Sequence, residues 1–185
     1  MTVRASVERD GKLRLFVAFR LPESWLLGIA AWQREYLVAP SLRVAPATNL
    51  HVTVAFLGSR PRSDVGSIVE TLRDAHGGAA CPVVTPIAYR ELQRAAVLVL
   101  DDECDRARDL QQTLGARLFE RGLFTPERRP WLPHVAVARM RGSRPRLAPP
   151  LPAVGVGCLS ELALYSSVLR PSGAEYEVLN TVELR

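Results

Sequence analysis

"HVTVAFLG", residues 51–58, and "HVAVARM", residues 134–140, repeat one pattern 83 positions apart in a chain of 185 residues that holds only three histidines. Each is a histidine followed by apolar, largely β-branched residues at the two-residue period of a strand. Alternation puts His51, Thr53 and Ala55 on one face and Val52, Val54 and Phe56 on the other. In the second copy, His134, Ala136 and Ala138 share a face opposite Val135, Val137 and Arg139. The valine faces predict a buried side, and the histidine rows then look onto something else.

The surroundings repeat as well. Residues 13–19, "LRLFVAF", predict a buried strand stopped by Pro22. From Glu23 to Val38, Trp25, Leu26, Ile29, Ala30, Tyr36 and Leu37 recur at helical spacing, with Gln33 the one polar member of the stripe. Asp64 predicts the cap of a helix reaching Ala75, with Val65, Ile68, Val69 and Leu72 inward and Gly77 beyond its end. In the second half, residues 83–89 and 95–102 read as strands, the first an edge because it carries Pro86. Cys104, Ala107, Leu110, Leu114 and Leu118 mark the longest helix, ending near Gly122. Residues 141–157 predict an irregular, proline-rich loop, and 161–169 and 175–184 the last strands, joined through Pro171, Ser172 and Gly173.

Both halves therefore run strand, amphipathic helix, strand beginning with histidine. This order predicts an α+β fold made of a duplicated unit: one two-lobed domain over residues 1–185 with pseudo-two-fold symmetry, antiparallel-rich sheets lining a central cleft and helices outside. Related by such an axis, the equivalent strands lie side by side and their histidines share the cleft.

Composition excludes several classes. Apolar residues make up 48% and charged residues 23%, near the globular norm, so neither disorder nor a fibrous design is indicated. The first residues lack a leader's apolar stretch and no run is long enough to span a bilayer, which predicts a cytoplasmic protein without membrane attachment. Nothing calls for an oligomer, so a monomer is expected. Cys81, Cys104 and Cys158 are odd in number and widely spaced, which predicts reduced thiols packed as small hydrophobes. Net charge is +5 and almost wholly arginine, Lys12 being the single lysine and placed ahead of the first strand. Arginine suits phosphate, although a GC-rich coding sequence would enrich it equally, so the charge permits a nucleic-acid partner without requiring one.

Two facing imidazoles suit a reaction in which one proton is taken and another given, since an ordinary histidine titrates near pH 6.5. No HExxH, CxxC or GxxxxGK pattern is present, and no metal or cofactor is expected. His76, beside Gly77 and Gly78, reads as a solvated helix-end residue.

These motifs resemble the paired His-x-Thr/Ser-x motifs of the two-histidine phosphoesterase superfamily, and within it the RNA 2′,3′-cyclic phosphodiesterase family, also described as bacterial 2′-5′ RNA ligases. "RLFVAFRLPESW" (14–25), "NLHVTVAFLG" (49–58), "PWLPHVAVAR" (130–139) and "LYSSVLRPSGAEYEVL" (164–179) follow the order of that family, so the resemblance covers most of the chain. It implies a substrate of RNA ending in a 2′,3′-cyclic phosphate, or a cyclic nucleotide, opened by water to a 2′-phosphate, with strand joining through a 2′-5′ linkage as the reverse chemistry. His51 would be the proton donor, His134 the proton acceptor, and Thr53 a donor to phosphoryl oxygen. Where the second motif should carry Thr or Ser this chain has Ala136, which offers substrate only its backbone. Arg20, Arg60 or Arg170 could make good the missing donor; Arg139 is on the wrong face by parity. Tyr176 resembles a cleft-border residue able to stack on a base, and Trp131 and Phe56 read as core or lobe-packing residues. The alternative is a catalytically weakened protein that binds RNA ends or nucleotide phosphates.

Overall fold

In the computed structural model, which describes residues 11–76, 78, 80–170 and 173–185, the predicted elements appear in the predicted order. The expectations for Gly77, for Pro171 and Ser172 and for the His76 side chain lie outside the described residues. The chain runs β1 (Lys12–Arg20), α1 (Glu23–Tyr36), β2 (Leu42–Val44), β3 (His51–Pro61), α2 (Asp64–His76), β4 (Val83–Glu91), β5 (Ala95–Glu103), α3 (Arg106–Glu120), β6 (His134–Met140), β7 (Gly157–Cys158), β8 (Glu161–Arg170) and β9 (Gly173–Glu183). Lys12 opens β1 rather than preceding it. Two short strands, β2 and β7, escape a reading by period because two or three residues carry none.

All strands join one antiparallel sheet in the order β7-β4-β5-β6-β3-β1-β8-β9, with β2 added to β6. Four strands stand on each side of the β6–β3 boundary, and β1-α1-β3 matches β5-α3-β6 in position, so the predicted duplication is present. β3 and β6 meet at a single registered pair, Val52 opposite Val135, and β2 continues that edge of β6 with Leu42, Arg43 and Val44 opposite Met140, Arg139 and Ala138. Both histidines flank that seam.

One face of the sheet is covered by the helices. Trp25 and Ile29 of α1, Ile68 and Leu72 of α2 and Leu114 and Leu118 of α3 pack on Leu15, Val17, Val52, Leu98, Val135 and Leu162 in one apolar cluster. Each such side chain contributes about 1.5–3 kcal/mol by leaving water, enough for the helix stripes to choose this face. The opposite face carries two smaller groups, Phe16, Ala18, Ala163 and Tyr165 on one half and Ala95, Val97 and Val99 on the other. Pro86 sits where predicted: β7 pairs only with Val83 and Val84, leaving the rest of β4 an edge.

The cysteine reading is corrected. Cys81 and Cys158 form a disulfide, and Cys104 is an exposed thiol rather than a buried one. The pairing of β4 with β7 brings the two together from 77 residues apart, a juxtaposition that spacing alone cannot reveal. No helix among the described residues is long and apolar enough to cross a membrane.

Candidate active site

Continuing the Val52–Val135 register by one residue each way sets His51 opposite Ala136 and Thr53 opposite His134. The two histidines are then diagonal neighbours on one face, about 7–8 Å apart and somewhat less at their β-carbons.

Each ring is anchored identically. Nδ1 of His51 lies 2.8 Å from the carbonyl oxygen of Asn49, and Nδ1 of His134 lies 2.8 Å from that of Leu132. A carbonyl only accepts, so each Nδ1 carries the hydrogen and each Nε2 is left to act. The anchors are themselves held: Asn49 Nδ2 donates to Ala174 O at 2.8 Å, and the Pro133 carbonyl beside Leu132 accepts from Leu100 N–H at 2.9 Å.

Beyond the histidines, parity breaks. The β1–β3 register skips Val54 and the β5–β6 register skips Val137, so each strand is bulged at the third residue after its histidine. An extra residue reverses the alternation that follows it. Ala55 and Ala138 therefore enter the main core, and Phe56 and Arg139, five residues after their histidines, emerge on the histidine face. Uninterrupted alternation places both on the other side. Phe56 is not a core residue: it is 55% exposed, its ring 6.0 Å from that of Phe16.

The second bulge is held by the polar member of the α1 stripe. Gln33 is buried, and its Nε2 donates to Val137 O at 2.7 Å and to Ala45 O at 3.1 Å, while Ala45 N–H also donates to Val137 O at 2.9 Å. A lone glutamine in an apolar stripe is the available sequence signal.

His51 sits against an aromatic floor. Its ring is 4.9 Å from Phe16, 5.8 Å from Tyr165 and 5.3 Å, edge-on, from Tyr176, which places Tyr176 beside the site. Burial pushes the His51 imidazole down to about pH 4, against the Asn49 bond, with the positive charges of Arg139 and His134 adding to the shift. The same burial raises the Tyr165 phenol.

A cavity of about 90 Å³ adjoins His51, lined also by Arg43, Asn49, Ala136, Arg139 and Tyr176. Its volume is about three times the ~30 Å³ of one water, the scale of a small oxyanion. Arg43, which carries no signal in the sequence, faces Arg139 across the β2–β6 pair, and its guanidinium lies so close over Gly173 that any Cβ there would collide with it. Neither arginine has an ion-pair partner among the described residues.

Thr53 shares the histidine face and lines a second, larger cavity with His134; its hydroxyl has no protein partner among the described residues, and its carbonyl accepts from Trp131 Nε1 at 2.9 Å. Ala136 joins a floor of small apolar side chains with Ala88, Ala95, Val97 and Val99. Arg20 is paired in register with His51 but is held by Glu161 at 2.5 Å. Arg170 bonds Glu175 at 3.1 Å beside the β8–β9 turn, and Arg60 bonds Gly122 O and Asp64; neither lines the small cavity. Among the described residues, no three of His, Cys, Asp and Glu converge as a metal-ligand set.

No family model and no curated protein matches this chain. Solved structures do. E. coli LigT complexed with 3′-AMP superposes with a TM-score of 0.80 at 23% identity, over 94% of this chain and 98% of that one. TT0787 of Thermus thermophilus gives 0.77 at 24%, again over 94% and 98%. A protein described as a phosphoesterase gives 0.75 at 23%, over 93% and 98%. The chain has their fold.

Proposed function

We propose that this chain is a two-histidine phosphoesterase that opens 2′,3′-cyclic phosphates on RNA ends or nucleotides to 2′-phosphates. The observation that carries the reading is the pair of imidazoles, supplied by equivalent strands, each with Nδ1 fixed on the carbonyl two residues before it. Both Nε2 atoms are thereby available for proton transfer on one face. The E. coli LigT structures that share the fold were solved with 3′-AMP, NADP+, ATP and phosphate, ligands that all carry phosphate.

In this reading the phosphate lies between the rings. His134 takes a proton from the attacking water and His51 gives one to the departing 3′-oxygen, the two nitrogens standing on opposite sides of phosphorus as in-line displacement requires. The bound anion raises the depressed His51 pKa and so restores the proton it must donate. Negative charge on the phosphoryl oxygens is met by Thr53 on one side and by Arg139 and Arg43 on the other. Those two arginines, rather than Arg20 or Arg170, make good the hydroxyl absent at Ala136.

The test is turnover of adenosine 2′,3′-cyclic phosphate by the purified chain with EDTA present. A 2′-phosphate product, lost on His51→Ala or His134→Ala, supports the reading. Affinity for phosphate-ended RNA without histidine-dependent turnover would instead make it a binding protein, with Ala136 as the reason.

A further inference from the structure

The segment between β6 and β7, residues 141–156, carries no helix or strand of its own, yet it is laid along α1 and, with Gly157, meets it at three points. Trp32 Nε1 donates to Pro150 O at 2.7 Å, and Val154 packs so close on Gly28 that a Cβ there would meet its Cγ1 at 2.6 Å. A Cβ on Gly157 would lie 2.5 Å from the Trp25 indole. The segment therefore runs antiparallel to the helix, as a strap.

Both ends of the strap are tied to β4. The backbone N–H groups of Arg146 and Leu147 donate to the Glu91 carboxylate at 2.9 and 2.7 Å. At the other end the two residues of β7 pair with Val83 and Val84 beside the Cys81–Cys158 bridge. An element of the first half, α1, is thus pinned to the edge strand of the second.

We propose that the Cys81–Cys158 bridge is a redox switch on phosphate affinity: opened, it slackens the strap, frees α1 and so loosens the Gln33 bond that aims Arg139 at the site. The inference rests on the two-histidine reading and adds the regulation of that site. Three observations carry it. Cys158 is exposed and Cys81 half-buried, so a thiol can reach the bond. Without the bridge that end of the strap hangs on a strand of two residues, shorter than strands ordinarily are. The route to the site is short, because Gln33, the donor to the β6 bulge, is next in the chain to Trp32, the last strap contact on the helix.

The reductant is a dithiol, which supplies two electrons. Its thiolate bonds the Cys158 sulfur, the disulfide bond breaks, and Cys81 leaves as a thiolate that takes a proton. The second thiol of the reductant then displaces Cys158 from the mixed disulfide, so the reductant ends as a cyclic disulfide and both cysteines as thiols.

The test uses the full chain carrying Cys104→Ser, which removes the exposed third thiol. Phosphate affinity by titration calorimetry and KM for adenosine 2′,3′-cyclic phosphate are measured before reduction, after dithiothreitol and after reoxidation with oxidised glutathione, with a thiol count fixing each state. Reduction should weaken phosphate binding and raise KM by about fivefold or more, and reoxidation should restore both. By linkage, saturating phosphate should make the bridge harder to reduce by the same factor; a bond that only stabilises the fold shows neither effect. In Gln33→Leu, which already lacks the coupling bond, reduction should change phosphate affinity little. Equal affinity in the two redox states, an undiminished response in Gln33→Leu, or loss of helix by circular dichroism on reduction overturns the inference. If no cyclic phosphate turns over in either state, the two-histidine reading fails while the phosphate affinities still decide the switch.

Discussion

Gln33 Nε2 and the carbonyl oxygen of Val137 are 2.7 Å apart, a buried bond that joins the outer helix of one half to the bulge in the histidine strand of the other. Through that bulge Gln33 governs where Arg139 points without touching the site itself. Gln33→Leu removes a donor from the buried Val137 carbonyl and from the half-buried Ala45 carbonyl, although Val137 keeps the Ala45 N–H. The expected cost is about 1–3 kcal/mol in urea unfolding. Because a purely structural role would leave substrate affinity alone, the telling readouts are KM for cyclic nucleotide, which should rise, and the acid limb of the pH profile, which should move upward as Arg139 turns away from His51.

Arg139 and Arg43 face each other across one strand pair with no counter-charge among the described residues, an arrangement that costs repulsion until an anion arrives. Arg139→Ala should weaken binding of inorganic phosphate by about ten- to a hundredfold, the worth of a charge-assisted bond. Arg43→Ala should do the same to a lesser degree because its guanidinium also packs over Gly173. Titration calorimetry measures both. Wild-type affinity in the double variant would remove the arginines from the site.

The element order, the duplication and the two histidines were legible because each rests on local period: apolar stripes, alternation and a repeated motif. What was not legible depends on insertions and on topology. Nothing in "HVTVAF" or "HVAVAR" distinguishes a regular strand from one bulged at its second valine, so alternation alone misplaces Phe56 and Arg139. Arg43 lies on a three-residue strand whose partner is almost a hundred positions away, and Cys81 meets Cys158 only through strand pairing. The helix glutamine was visible, but its two acceptors were not.

In the proposed reaction Ala136 takes the place of a phosphate-facing hydroxyl; it lies on a floor of alanines and valines. Ala136→Thr should fold normally, since the position is only half-buried, and should leave kcat/KM for cyclic nucleotide unchanged because Arg43 and Arg139 already supply that contact. A rise of about tenfold or more would show that the arginines leave one phosphoryl oxygen unmet.

The Cys81–Cys158 bond closes a loop of 77 residues and ties β4 to β7 at the far edge of the second half. Cys81→Ser should lower stability by about 2–5 kcal/mol, largely by freeing the unfolded chain. Thiol titration of the unfolded protein should find one reactive cysteine, Cys104, before reduction and three after it. Three before reduction would deny the bridge.

His51 carries its depressed pKa into both stability and rate. With an unfolded value near 6.5 and a folded value of about 4, the unfolded chain binds the extra proton between those limits. The contribution is fully present above pH 6.5 and is lost as pH falls through 4, amounting to about 3 kcal/mol across the window. Carboxylates titrate in the same range, so the measurement is the difference in unfolding free energy between the wild type and His51→Gln at pH 7 and pH 4, which should shrink by that amount. For catalysis, a histidine pair that must hold one proton between them loses activity when both are charged, whichever of the two donates. The acid limb of kcat/KM should therefore lie near pH 4, about two and a half units below that of an unperturbed imidazole. Arg139 is one cause of the shift, so Arg139→Ala should move the limb upward, and added phosphate should raise the His51 titration seen by NMR. A limb near 6.5 in the wild type would mean that His51 is solvated in the working enzyme, and the enclosed site argued from its aromatic floor would then be wrong.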